Sequence, residues 1–99
     1  MNKWADYAIS EVRYNKDHSH ISEVIVHLDQ GKDLRQLGAW TVNEVVAELE
    51  KGKTFVTTIP DSQGKWLKGQ PIHIVTIGGA KFIRTTRNPA DNLEDLPEF

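Results

Sequence analysis

One stretch of this chain carries the period of a helix. Most other apolar residues alternate or run as dense β-formers, so the chain is constrained to a sheet with a single helix laid on it. The helical stretch opens at Thr41-Val42-Asn43-Glu44, a capping box in which the Thr hydroxyl and the Glu carboxylate each meet an orphan backbone N–H. Val42, Val45, Val46 and Leu49 follow the i, i+3, i+4, i+7 spacing of one buried stripe, and Trp40 stands where it can staple onto Val45. Gly52 supplies the stop, and Lys51 and Lys53 sit where the helix dipole favours cations. Three turns of helix are expected.

The remainder reads as strands and turns. Tyr7–Tyr14 is rich in β-branched and aromatic residues, 15–20 is polar, and 21–28 is a second strand. That second strand carries Val24, Val26 and Leu28 on one face and Ile25 and His27 on the other. The short connection makes the two an antiparallel hairpin. Residues 29–38 hold two glycines and many charged or amide side chains, and read as a loop. Residues 54–59 form a third strand ending at Pro60, followed by a loop over 61–70. Strands at 72–77 and 81–85 flank Gly78-Gly79, which allow the positive φ of a tight turn. With those glycines at the turn, Ile77 faces Ala80, Val75 faces Phe82 and His73 faces Arg84. The expected fold class is therefore α+β. It has an antiparallel sheet of about five strands in the order β-β-α-β-β-β, with one helix packed across one face. The tail from residue 86 is irregular, and its Leu93, Leu96 and Phe99 are expected to pack on the sheet face the helix leaves open.

Ninety-nine residues suit one domain, and the chain has no cysteine. That removes disulfides, thiolate catalysis and cysteine-based zinc sites together, and favours the cytoplasm over secretion. No apolar run approaches the roughly 18–20 residues that span a bilayer, and the N-terminus lacks a signal peptide's apolar stretch. A net charge of −2 argues against a general nucleic-acid binder. The charge is unevenly spread, with a net of −3 over residues 1–61, +5 over 62–90 and −4 over 91–99.

Few constellations could carry chemistry. His18-x-His20 has a spacing that metals accept, but two histidines in a polar turn need no metal to explain them. No metal site and no cofactor are expected. Ser10, Ser19, Ser22 and Ser62 stand in no nucleophile motif, and no glycine run opens the helix to cradle a phosphate. Glu44 and Glu48 lie one turn apart and serve solubility. The basic segment is the more informative feature: Lys65, Trp66 and Lys68, then His73, Lys81, Arg84 and Arg87. Cations interleaved with aromatics suit a nucleotide or a single strand of nucleic acid. Trp66 and Phe82 also have the simpler role of closing the core.

The final segment 82–99, with Phe82-Ile83-Arg84-Thr85 leading into Asp91-Asn92-Leu93 and Leu96-Pro97, resembles the closing motif of a bacterial family, domain of unknown function 3892. Tyr7, Ile9 and Val12-Arg13-Tyr14 are similar too. So are His20-Ile21, Trp40-Thr41 with Glu44-Val45-Val46, and the run 52–57. Glu94 stands where the family usually has glycine. The resemblance implies a small single-domain protein of bacterial or mobile-element genomes. It brings no activity, cofactor or catalytic residue with it.

The expected function is a cytoplasmic, non-enzymatic binding module that meets a protein partner through the basic segment. The alternative is sequestration of a small anionic ligand such as a nucleotide by Trp66, His73, Lys81 and Arg84, in the manner of a phage or mobile-element inhibitor. Weak binding of single-stranded nucleic acid ranks behind both, and no membrane role is expected.

Overall fold

The helix, α1 (Val42–Glu50), begins on Thr41 as its sequence requires. The Thr41 hydroxyl accepts from the Glu44 N–H at 3.2 Å, while the Glu44 carboxylate accepts from the Thr41 N–H at 3.1 Å. Six strands surround it in chain order: β1 (Tyr7–Tyr14), β2 (Ile21–Asp29), β3 (Leu34–Thr41), β4 (Phe55–Pro60), β5 (Trp66–Ile77) and β6 (Ala80–Thr85). This computed structural model describes residues 4–17, 20–31, 33–85 and 96–99.

The strands form one α+β sheet in the order β3-β2-β1-β4-β5-β6. Several expectations need correction, the first being the strand count, which is six rather than about five. The segment 29–38 is not a loop, because its second half pairs with β2 as the edge strand β3. The sheet is also mixed rather than antiparallel, since β4 runs parallel to β1 with Tyr7 opposite Phe55 and Ile9 opposite Thr57. The parallel pairing follows from one connection: the β3–α1 segment leaves the edge, crosses a face of the sheet, and returns the chain on the far side of β1. A crossover of this kind yields parallel neighbours, whereas tight turns yield antiparallel ones. The loop expected at 61–70 is shorter as well, since β5 already begins at Trp66. The hairpin of β5 and β6 has the register read from its two glycines, with His73 opposite Arg84, Val75 opposite Phe82 and Ile77 opposite Ala80.

The larger core lies between the sheet and α1. Val42, Val45 and Val46 of the helix meet Ile9, Val12, Val24, Val26 and Phe55 from the central strands. The tail contributes Leu96 to this same cluster. It does not cover the opposite face there, and Leu93 lies outside the described residues. The opposite face has its own smaller cluster of Ala5, Ala8 and Val56, closed by Trp4 and Leu34. The N-terminal segment is thus what shields that face. Among the described residues, no helix is long and apolar enough to cross a membrane.

Candidate functional site

The Trp66 end of β5 is held by its turn. Asp61 Oδ1 accepts from the backbone N–H of Gln63 at 2.8 Å and of Lys65 at 2.9 Å. The Asp61 N–H donates to the Lys65 carbonyl at 2.7 Å, and the Gly64 N–H donates to the Asp61 carbonyl. An aspartate that satisfies several turn N–H groups fixes the loop's path, which is why this residue type suits the position. Trp66 then pairs with Pro60 across the hairpin and packs its ring on His27 of β2, with centroids 5.1 Å apart.

Trp4 approaches the same place from the N-terminus. The buried Asp29 carboxylate accepts from the backbone N–H groups of Trp4 at 2.7 Å and Ala5 at 3.3 Å. Its other oxygen accepts from the Gly31 N–H at 2.9 Å. One side chain thus ties the N-terminal segment to the β2–β3 turn. Trp4, Leu34 and Trp66 line a cleft of about 440 Å³, with Asp33 and Lys65 at its edge. Such a volume is in the range that small ligands or a few side chains of a partner fill. Both indoles are half-buried, so each presents a face to solvent while its backbone is fixed.

Beneath Trp66, His27 Nε2 lies 2.7 Å from the Ser10 hydroxyl. A hydroxyl beside an imidazole is the pairing of an activated nucleophile. Ser10 retains only 5 % of its surface and His27 only 3 %, so no substrate reaches them as they stand. The pair joins β1 to β2 and supports the floor of the cleft. Burial pushes the His27 pKa below its ordinary value, with Glu11 pulling weakly the other way. The folded protein therefore binds this proton less readily than the unfolded chain does. Its contribution is fully present above the unfolded value near 6.5, and stability falls as pH drops through that value. The melting temperature should thus decline between about pH 7 and pH 5, and His27→Gln should flatten the decline. An equally steep decline in the variant would assign it to other groups.

The basic residues singled out in the sequence do not converge. Lys65 and Trp66 belong to the cleft, and Lys68 is exposed two residues further along the same strand. His73 and Arg84 are exposed cross-strand partners on the β5–β6 hairpin, away from Trp66. Lys81 donates to Glu50 of α1 at 2.5 Å, so its charge is already engaged. Arg87 lies outside the described residues, as does His18. His20 contacts Asn15 and Phe82 instead, and no group of three or more potential metal ligands occurs among the described residues. Trp4, Asp29 and Leu34 join this site without a sequence signal. Trp4 shows no period in so short a terminal stretch, and Leu34 falls in the segment read as a loop. No family model, curated protein or solved structure matches this chain.

Proposed function

We propose that this chain is a cytoplasmic, non-enzymatic recognition module whose contact surface is the tryptophan cleft at the β4–β5 turn. The observation that carries this reading is the pair of half-buried indoles, Trp4 and Trp66, each anchored from behind and lining one cleft. Fixed aromatic side chains supply large contact area at low entropic cost, and tryptophan is enriched among the residues that dominate interfaces. A protein partner is favoured over a nucleotide for two reasons. The opposite face of the same hairpin exposes a second apolar pair, Ile59 and Leu67, which are cross-strand neighbours. The cations expected to hold phosphates are dispersed, with Lys81 committed to Glu50. The motif resemblance to domain of unknown function 3892 adds no activity, so the reading rests on the cleft.

The test compares the parent with Trp66→Ala and Trp66→Phe as bait in extract of the native host. The parent should retain a defined partner, which binds Trp66→Ala at least about 30-fold more weakly, the effect of an interface anchor. Trp66→Phe should keep much of the affinity, and melting curves should exclude a folding defect. Equal retention by parent and Trp66→Ala overturns the proposal.

A further inference from the structure

A second cavity, sharing no residue with the tryptophan cleft, lies where the β5–β6 hairpin meets the β1–β2 turn. It measures about 410 Å³, and its walls include Val75, Ile77 and Phe82 from the hairpin with Tyr14 and His20 opposite. Arg84 stands at this cavity. The apolar part faces water: Ile77 keeps 57 % of its surface. Cross-strand Val75 and Phe82 are half-buried beside it.

The polar groups are equally specific. Arg84 is exposed and makes no side-chain hydrogen bond or ion pair among the described residues, although the chain has more acids than bases. Across the cavity, the ring of His20 meets Phe82 edge-on at 5.4 Å. The orientation of His20 follows from its neighbour. Asn15 Oδ1 accepts from the His20 backbone N–H, so the Asn15 amide nitrogen is the donor to His20 Nδ1 at 3.2 Å. An apolar wall flanked by an exposed guanidinium is complementary to a molecule with an apolar body and one anionic end.

We propose that this cavity binds a small amphipathic anion, with its carboxylate or comparable oxyanion on Arg84 and its apolar body against Val75, Ile77 and Phe82. A concavity of about 410 Å³ is of a size that a small free molecule fills, and such a molecule is the occupant proposed. Guanidinium–oxyanion pairing fixes the head, and burial of the apolar strip supplies the remaining affinity.

The probe is decanoate below its micelle concentration, followed by backbone amide shifts in NMR. Decanoate should move the resonances of His20, Phe82 and Arg84 and leave those of Trp4 and Trp66 in place. Arg84→Gln should weaken binding about tenfold, which is 1.4 kcal/mol, with an unchanged melting curve. Phe82→Leu tests the body independently and should weaken decanoate without affecting acetate, which itself should bind far more weakly. Three outcomes overturn the proposal. One is the absence of shifts at millimolar decanoate. Another is equal affinity in Arg84→Gln. The third is Arg84-dependent binding to phosphatidylglycerol vesicles with none to decanoate, which would mark a membrane contact instead. Trp66→Ala should leave decanoate binding intact, so failure here and failure of the tryptophan cleft are separable.

Discussion

Gly69→Ala is expected to cost about 3 kcal/mol and to lower the melting temperature by more than about 10 °C, as overpacking in so small a domain does. The reason is room rather than backbone freedom. A Cβ at Gly69 would lie 2.0 Å from the Thr57 hydroxyl and 2.8 Å from the Thr57 carbonyl oxygen. Turning the Thr57 side chain away relieves the first contact but breaks its hydrogen bond, since that hydroxyl accepts from the Gln70 N–H at 2.9 Å. The second contact is with backbone and persists. β4 and β5 pack this closely because the register slips here. Val56 pairs with Pro71 and Thr58 with Lys68, so three steps on β5 match two on β4. Such a bulge bends its strand and raises the local twist. It lets the first part of β5 pair with β4 while the second part leaves to pair with β6. Adding Thr57→Ala to Gly69→Ala should recover less than half of the loss, because the carbonyl contact remains. A single variant melting within about 3 °C of the parent would mean the strands separate without cost, and the bulge would lose its assigned role.

The same strand shows why some of the fold was legible and some was not. Capping boxes and glycine turns are local signals, and two of them match the structure: Thr41 caps the helix, and Gly78-Gly79 set the β5–β6 register. β3 escaped because an edge strand need not alternate. Its Leu34-Arg35-Gln36-Leu37-Gly38 stretch faces largely outward and is interrupted by a bulge. His27 pairs with Gln36 and Val26 with Gly38, leaving Leu37 unopposed and 41 % exposed. Gly38 takes a φ of 119°, a conformation glycine adopts readily, so the glycine that argued against a strand is what bends it. The parallel placement of β4 was invisible for a different reason. Nothing in Phe55–Pro60 distinguishes pairing with β3 from pairing with β1, since the choice is made by where α1 packs.

The candidate site was legible only in part for a related reason. Trp66 and Lys65 were found because charge and aromatic content stand out along a sequence. Their companions Trp4 and Leu34 are brought to them through Asp29, a link across 25 residues to the Trp4 N–H that no spacing rule encodes. Conversely, Lys81 looked available by composition, yet helix and hairpin pack so that Glu50 takes its charge. Sequence therefore nominated chemistry, and the long-range contacts decided which of it shares a surface.

The tail is where local and long-range information conflict most, and truncating Leu96 should have an effect comparable to that of Gly69. Leu96→Ala is expected to cost about 3 kcal/mol, the usual consequence of emptying a buried leucine position. Leu96 retains 6 % of its surface and belongs to the cluster that contains the helix valines. Its location follows from an unfilled edge. β4 pairs with β1 only as far as Ile9, and the register of β1 shifts just beyond, leaving the edge at Val12 without a neighbour from β4. The tail fills it. The Val12 N–H donates to the Pro97 carbonyl at 2.9 Å, and the Phe99 N–H donates to the Val12 carbonyl at 3.0 Å. Glu98 thereby forms a parallel bridge with Val12, and the Arg13 guanidinium sits 4.4 Å from the centre of the Phe99 ring. Buried backbone groups left without partners are costly, so this closure matters beyond its apolar area. Deleting 96–99 should therefore destabilise the domain more than Leu96→Ala, because it strips both hydrogen bonds from Val12 as well as the side chain. Amide exchange provides the discriminating measurement. The Val12 N–H should exchange with solvent much faster in the deletion variant, while Val24 and Val26 in the middle of β2 keep most of their protection relative to it. Unchanged Val12 exchange together with a parental melting curve would sink the idea, since the last four residues would then lie along β1 without holding it.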